Sequence, residues 1–276
     1  MLTSNGYVLD EHPDRLGRLV PVPAAERSSR SDLLGRLDRD GYLYLPGFLE
    51  PTVVQDFRDY YFAALKPAGL DQTQRHDAPL DRGLLRQILF EQIVPGPTYQ
   101  ALCRHPVIEG WFTWLLDESV HLHRRKIIRH VRPGEIGVGT ATQAHYDLVY
   151  LREGTDRVLS MWIPLGDCPL ERGGLVYLEG SHHRVRRDEA EGTLRRPAAS
   201  ITADLPRLAD DLDARWLCAD YRAGDVVVHC SQIIHAALDN VDSDDTVRLS
   251  TDIRYPRSSD GIDRRWQQHW IDTDGL

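Results

Sequence analysis

The stretch that decides the fold runs from residue 224 to residue 237 and reads Gly224-Asp225-Val226-Val227-Val228-His229-Cys230-Ser231-Gln232-Ile233-Ile234-His235-Ala236-Ala237. A glycine–aspartate turn leads into β-branched residues, and a second short apolar run follows. Apolar runs of this length, bounded by turn residues, are typical of buried strands. We therefore predict two consecutive strands, over 225–230 and 232–237, each of which carries a histidine.

The same pattern extends through the second half of the chain. Turns such as Pro133-Gly134 and Gly173-Gly174 separate further short apolar runs, and we predict strands over 125–131, 142–151, 158–165, 174–178 and 248–255. Strands that follow one another without intervening helices favour an antiparallel sandwich or barrel.

The first half of the chain has a helical pattern instead. Leucines recur at helical spacing from Ser31, with Asp32 placed to cap, and Pro51 is a good first-turn residue for a second helix. We expect an irregular arm over 1–30, a helical layer over 31–120, and a β-core over 121–276. An arginine- and acid-rich insertion or lid interrupts this core around 183–215. The prediction is one domain of the α+β class, mainly β.

Composition excludes several classes of function. The 276 residues carry 33 basic and 42 acidic side chains, a net charge of −9, which argues against binding to nucleic acid or to an anionic membrane. No apolar run approaches the roughly 20 residues of a membrane span, and the first residues lack the pattern of a secretion signal. The four cysteines form no CxxC pair, so we expect buried, reduced thiols in a cytoplasmic protein.

His145 and Asp147 form the sharpest candidate site. Residues two apart on a strand share a face, so the imidazole and the carboxylate can converge on one metal ion. His235, at the end of a predicted strand, is the candidate third ligand, whereas His229 is better explained as a core histidine. Two histidines and one carboxylate suit Fe(II), and they also suit catalytic zinc.

The last predicted strand offers a partner for an anion. Alternation places Arg248, Ser250, Asp252 and Arg254 on one face of 248–255. An arginine pointing into a barrel presents a planar fork to a carboxylate-bearing cosubstrate. The alternative is an edge strand with a solvated, charged face.

Four segments together resemble the phytanoyl-CoA dioxygenase family of Fe(II)- and 2-oxoglutarate-dependent oxygenases. They are Asp40 to Leu49 (DGYLYLPGFL), the Gln143 to Asp147 strand with its HxD motif, Met161 to Leu165 followed by Gly173-Gly174-Leu175 and Gly180-Ser181-His182, and Gly224-Asp225 through His235 to Arg248 and Tyr255. The segments occur in the family's order over about residues 35–255. Each alone is weak, and their combination is specific.

The resemblance implies a double-stranded β-helix core of the jelly-roll or cupin type, with His145, Asp147 and His235 as iron ligands. It further implies that Arg248 binds the distal carboxylate of 2-oxoglutarate, with Arg254 as the second choice. Trp162 resembles a residue that lines the cosubstrate pocket, although a core tryptophan fits equally well. By alternation on the predicted strand over 125–131, Lys126 or Arg129 is a candidate contact for 2-oxoglutarate or for an anionic substrate group, and the alternative is that these side chains lie on a solvent face of the sheet.

The implied reaction converts 2-oxoglutarate and O₂ to succinate and CO₂ while a C–H bond of a small molecule is oxidised, with ascorbate as a supporting reductant. Family members that halogenate replace the carboxylate of the HxD motif, so Asp147 favours hydroxylation, epimerisation, desaturation or ring closure. Bacterial secondary metabolism, including antibiotic biosynthesis, is the expected setting, and the enzyme is expected to be a monomer or homodimer. The alternatives are a zinc-dependent hydrolase on a β-barrel and a non-catalytic jelly-roll binding protein.

Overall fold

The computed structural model describes residues 1–194, 197 and 199–271. The strands are β1 (Thr3–Ser4), β2 (Tyr7–Val8), β3 (Leu16–Arg18), β4 (Tyr42–Leu45), β5 (Ile127–Val131), β6 (Leu159–Pro164), β7 (Leu175–Leu178), β8 (Trp216–Cys218), β9 (Val226–Cys230), β10 (His235–Ala237) and β11 (Arg248–Tyr255). The α-helices are α1 (Arg30–Asp40), α2 (Pro51–Leu65), α3 (Arg82–Ile88), α4 (Pro97–Cys103), α5 (Pro106–Leu116), α6 (Ser181–Ala190) and α7 (Leu205–Leu212).

The larger sheet has the strand order β4-β9-β6-β11-β5, and every neighbouring pair is antiparallel. β6 and β9 lie inside this sheet and are buried along their whole length, which explains their mostly apolar sequences. β11 has the predicted bounds and pairs with β5 on one side and β6 on the other.

The smaller sheet has the order β10-β7-β8-β3, in which β8 and β3 are parallel and the other pairs are antiparallel. Two of its strands were not predicted. β3 lies within residues 1–30, which we expected to be irregular, and β8 directly follows the 183–215 segment. Each has only three residues, too few for periodicity to detect. That segment contains α7 and most of α6, and its residues 195, 196 and 198 lie outside the described residues.

The two sheets pack face to face. Tyr42 of β4 stacks on Tyr177 of β7 with 5.9 Å between ring centroids, and His229 of β9 lies 4.6 Å from His235 of β10. The predicted α+β, mainly β fold is therefore confirmed, with two packed sheets that do not close into a barrel.

The turn before β9 joins two of the motifs noted in the sequence. Gly224 has φ +96°, and a Cβ atom there would collide with the carbonyl oxygen of Leu49. The next residue, Asp225, accepts hydrogen bonds from the Tyr44 hydroxyl and from the backbone N–H of Gly47, both at 2.9 Å. The glycine–aspartate motif thus fastens β9 to the DGYLYLPGFL segment, which places β4 beside it.

Helices occupy much of the predicted helical layer. α1 is capped by Ser29, whose hydroxyl accepts from the backbone N–H of Asp32 at 3.4 Å, so the expected cap, Asp32, lies in the first turn instead. Gly41, with φ 78°, ends this helix. α2 begins at Pro51 as predicted and buries Phe57 on the face that packs against the core.

All four cysteines are free and buried, as predicted. Within the described ranges, no helix combines the length and apolarity that a membrane span requires.

Candidate active site

The segment that carries His145 and Asp147 is not the strand that we predicted over 142–151. Ala144 and His145 form isolated bridges, and the chain then turns into a short 3-10 helix over Asp147–Val149. The backbone hydrogen-bonds of this helix, such as Tyr150 N–H to the Asp147 carbonyl at 2.9 Å, compete with strand pairing. The side chain of Asp147 therefore projects from the first residue of a 3-10 helix rather than from the face of a strand.

His145 and His235 are brought together by their own backbones. The N–H of each residue donates to the carbonyl of the other, at 3.0 and 2.8 Å, in an isolated antiparallel bridge. Their ring centroids are 4.2 Å apart. This pairing places two residues that are distant in sequence on either side of one small cavity.

Both imidazoles present the same nitrogen to the cavity. Nδ1 of His145 lies 2.8 Å from the carbonyl oxygen of Gln143, and Nδ1 of His235 lies 3.1 Å from that of Ile233. A carbonyl oxygen only accepts hydrogen bonds, so Nδ1 carries the proton in each ring and Nε2 keeps its lone pair. Nε2 of His145 is 4.0 Å from Oδ1 of Asp147.

The donor atoms of His145, Asp147 and His235 all lie within 4.8 Å of one another, and all three residues are buried. Two neutral imidazole nitrogens and one carboxylate oxygen at such distances fit a divalent metal ion, and this set suits Fe(II).

Asp147 is fully buried, and its carboxylate is held by fixed donors. Arg254 donates from Nη2 to Oδ1 at 2.8 Å and from Nε to Oδ2 at 3.1 Å, and the Ser160 hydroxyl also donates to Oδ2. Burial alone raises the pKa of this carboxyl. The positive charge of Arg254 is the largest opposing influence, and the pKa of Asp147 lies well below its ordinary value.

The pKa values of the two histidines are lowered. Burial lowers the pKa of His145 to about 4 and that of His235 well below its ordinary value. At neutral pH the cluster therefore contains an ionised carboxylate and uncharged imidazoles, the protonation states that metal binding requires.

His229 belongs to the surroundings of this cluster, although the sequence suggested only a core histidine. Its Nδ1 lies 3.2 Å from the Tyr177 hydroxyl, and its buried Nε2 lies 3.6 Å from Oδ2 of Asp147 without a hydrogen bond. This placement could have been predicted from the alternation on β9, which directs the His229 side chain at the opposite sheet.

Arg248 is buried at the start of β11 and borders a cavity of about 160 Å³ together with Thr140 and Thr142. Its Nη1 donates to the carbonyl of Gly173 at 2.5 Å, and its buried Nε has no hydrogen-bond partner among the described residues. Gly173 has φ +81°, and a Cβ there would lie 2.6 Å from the carbonyl oxygen of Leu238. A fixed, buried guanidinium with an unused donor fits a carboxylate ligand.

The other predicted contacts separate into two groups. Arg129 borders the Arg248 cavity and also a cavity of about 60 Å³ lined by His145 and His235, which we call the metal cavity because these two side chains are candidate ligands. Lys126 lies elsewhere: it is fully buried, its Nζ donates to the Arg124 carbonyl at 3.1 Å, and it sits 5.3 Å from the ring centroid of Tyr99. Lys126 precedes β5, so strand alternation did not apply to it.

Trp162 packs as a core residue, which was the alternative that the sequence left open. It is 1% exposed and its ring makes an edge contact with Tyr221 at 4.7 Å between centroids. It does not border the cavities around the metal cluster and Arg248.

Several residues of the site were not among the predicted ligands or cosubstrate contacts. Tyr150 and Trp266 border the metal cavity, and Asp252 lines it with a carboxyl group whose pKa is raised by burial. Asp252 was placed on the polar face of β11 but received no role. Trp266 lies in a short 3-10 helix over Arg264–Gln267, after the last predicted strand.

A larger cavity of about 560 Å³ adjoins the metal cavity. His145, Tyr150 and Trp266 line both, which makes the two spaces neighbours across these side chains. The position and size suit a small organic substrate.

A buried histidine near the site predicts acid sensitivity. His123 is 1% exposed, neither ring nitrogen has a hydrogen bond, and burial lowers its pKa to about 3. A histidine with a depressed pKa destabilises the fold as pH falls below its unfolded value of about 6.5. We expect His123 to account for about 2 kcal/mol of lost stability between pH 7 and pH 5.

Urea unfolding of the wild type and of His123→Leu at both pH values measures this contribution. The leucine variant should lose about 2 kcal/mol less than the wild type between the two pH values. Parallel losses in both proteins would show that His123 is protonated equally in the folded and unfolded states.

Comparison with known proteins places this geometry in a family. The family model for phytanoyl-CoA dioxygenase matches residues 37–248. A 1-deoxypentalenic acid 11-beta-hydroxylase from Streptomyces arenae is 24% identical over 231 residues, which cover 80% of this chain and 79% of the relative.

Solved structures share the fold. The carbocyclase SnoK from nogalamycin biosynthesis superposes with a TM-score of 0.61 at 24% identity, covering 93% of this chain and 92% of that one. EctD from S. alaskensis, solved with 2-oxoglutarate and 5-hydroxyectoine, gives 0.59 at 18% identity, with 96% and 98% covered. The matched family model spans most of the chain and includes His145, Asp147, His235 and Arg248, so the resemblance drawn from the four motifs is confirmed: the chain belongs to the phytanoyl-CoA dioxygenase family and is a dioxygenase.

Proposed function

We propose that the protein uses Fe(II) and 2-oxoglutarate to hydroxylate, or otherwise oxidise at a C–H bond, a small molecule of bacterial secondary metabolism. The observation that carries this proposal is the buried donor set of two neutral imidazoles and one ionised carboxylate within 4.8 Å. Three protein ligands of this kind leave neighbouring coordination positions open for a cosubstrate.

The relatives support the cofactors and the setting. The epimerase SnoN was solved with Fe3+, alpha ketoglutarate and a nogalamycin compound, and EctD was solved with bound Fe. The curated relative is a hydroxylase of 1-deoxypentalenic acid. Epimerase, carbocyclase and hydroxylase names among the neighbours match the range of outcomes that a retained Asp147 allows.

Each protein group has a defined part in this chemistry. His145, Asp147 and His235 would hold the iron, which with 2-oxoglutarate and O₂ supplies the oxidising chemistry. Arg248 would bind the distal carboxylate of 2-oxoglutarate through its guanidinium, whose Nε is an unused donor. Arg254 keeps Asp147 ionised and oriented. The small, buried metal cavity limits access of water to the reacting groups.

Arg248 provides the test of this function. We expect the wild type to form succinate from 2-oxoglutarate in air with Fe(II) and ascorbate, and Arg248→Gln to raise the KM for 2-oxoglutarate by about a hundredfold. Since Arg248 does not touch the metal cluster, kcat at saturating cosubstrate should fall much less than kcat/KM.

Succinate formation is measured as a function of 2-oxoglutarate concentration, with His145→Ala as a control that should form none. Absence of succinate from the wild type, or an unchanged KM in Arg248→Gln, contradicts the proposed roles. Arg184→Gln, an exposed arginine on α6, is the matched control and should behave as the wild type.

A further inference from the structure

The cavity of about 560 Å³ has an unusual balance of charge. Four arginines line it, Arg125, Arg129, Arg152 and Arg265, and none of the described lining residues is an aspartate or glutamate. Guanidinium groups are charged at every physiological pH, and a concave, partly enclosed wall screens their field less than open solvent does. A cavity of this kind attracts anions.

Two of the four guanidinium groups, those of Arg152 and Arg265, are held in place by contacts with the protein. Arg152 donates to the carbonyl of Val149 at 2.5 Å and to that of Pro197 at 2.7 Å. Arg265 donates to the carbonyl of Tyr150 at 2.7 Å and pairs with Asp263. Groups that are fixed before binding lose less entropy when a ligand arrives.

Arg129 differs from the other three. Its backbone pairs with β11, but its guanidinium makes no hydrogen bond or ion pair with the described residues, and the residue borders the large cavity, the metal cavity and the Arg248 cavity. Asp252 acts on it only at longer range and counters the effect of burial on its pKa. With Arg248 available for the cosubstrate, the charge of Arg129 faces the space between the metal cluster and the large cavity.

The rest of the described wall carries no acidic side chain and mixes polar, apolar and aromatic residues. Val149, Ala141 and Trp266 line the cavity, and the Arg125 guanidinium lies 5.6 Å from the Trp266 ring centroid. His145, one of the three grouped donors, lies on the same wall. A ligand that fills this cavity therefore meets arginines, an apolar surface and the metal cluster at once.

We propose that this cavity binds an organic acid, with the carboxylate of the substrate on the arginines, its apolar body against Trp266 and its reacting carbon beside His145. This inference rests on the proposed function, because it takes the three grouped side chains as the place of reaction. It adds the chemical class of the substrate, which the family does not specify.

Binding of a matched pair of probes tests the proposal. Adamantane-1-carboxylate and adamantane-1-carboxamide have the same rigid apolar body and differ in charge. Both are titrated calorimetrically into the protein with Fe(II) and 2-oxoglutarate under anaerobic conditions, so that the cosubstrate fills its own carboxylate site and no turnover occurs. We expect the acid to bind at least about tenfold more tightly than the amide.

Single substitutions test which arginines cause the acid to bind more tightly than the amide. Arg152→Gln and Arg129→Gln should each reduce the preference for the acid, and Arg264→Gln should keep it, because Arg264 is an exposed neighbour of Arg265 that does not line the cavity. Equal binding of acid and amide, no saturable binding of the acid, or the same loss in Arg264→Gln would overturn the proposal.

The visible absorption of the Fe(II)–2-oxoglutarate complex is recorded in the same samples. If this absorption is missing while the acid still binds with its arginine dependence, the proposed function fails and the anion site stands. If the absorption is present and the acid preference is missing, the proposed function stands and the substrate class is wrong.

Discussion

Replacement of Asp147 by asparagine should abolish turnover while the fold persists. Asparagine keeps the shape of the side chain and an acceptor oxygen for Arg254, which donates to both carboxylate oxygens at 2.8 and 3.1 Å. It removes the negative charge that a divalent metal requires from its third ligand. In many metal sites, loss of a residue that only hydrogen-bonds to a ligand already lowers metal affinity or activity by about 10- to 100-fold. Because Asp147 is itself a proposed ligand, we expect succinate formation to fall by at least about a hundredfold.

Fe(II) affinity and succinate formation are measured together, with circular dichroism as the check on folding. Asp242→Asn is the matched control, because Asp242 is another buried carboxylate that pairs with an arginine, Arg172, at 2.5 Å. It should retain activity when folded. Wild-type turnover in Asp147→Asn would remove this carboxylate from the metal centre.

Replacement of Arg254 by methionine should destabilise the metal-free protein more than most single substitutions. Asp147 is fully buried, and Arg254 is the cation paired with it in the described structure. Removing one partner of a buried ion pair leaves an uncompensated charge and costs about 3–5 kcal/mol. Methionine retains apolar contact with Trp266, over which the Arg254 guanidinium lies at 4.6 Å.

Urea unfolding in the presence of a chelator measures the loss. The double variant Arg254→Met/Asp147→Asn should recover much of it, because no buried charge is left unpaired. Fe(II) added anaerobically should stabilise Arg254→Met more than the wild type, since the ion replaces the missing positive charge. Additive effects in the double variant would mean that the two side chains do not interact in the folded protein.

The different roles of Arg248 and Arg254 could not be predicted from the sequence. Alternation correctly placed Arg248 and Arg254 on one face of β11, but spacing alone does not distinguish a residue that meets a cosubstrate from one that meets Asp147. The backbone turn at Asp147 decides this difference. The 3-10 helix over Asp147–Val149 turns the carboxylate toward Arg254, and local hydrogen bonds within that helix replaced the predicted strand.

The strand limits predicted from the sequence agree with the structure where strands are long and buried. β6 and β9 lie within a residue of their predicted limits, because burial on both faces favours a mostly apolar sequence. β11 has its predicted limits because polar and apolar residues alternate along it. β3 and β8 were missed, since three residues show no period. Arg129 was a candidate contact, whereas Trp266, Arg125, Arg152 and Arg265 were missed for a different reason, because they meet around one cavity only when the C-terminal segment folds back over the site.

The amino-acid sequence by itself determined the family, the mainly β fold class and the candidate ligands His145, Asp147 and His235, because chemistry-bearing residues and buried strands leave local patterns. Only the tertiary structure decided which charges meet. It paired Arg254 with Asp147, placed Lys126 against Tyr99, and gathered four arginines around one cavity. Such contacts join segments far apart in the chain, and their geometry is set by the packing of two sheets, which no local pattern records.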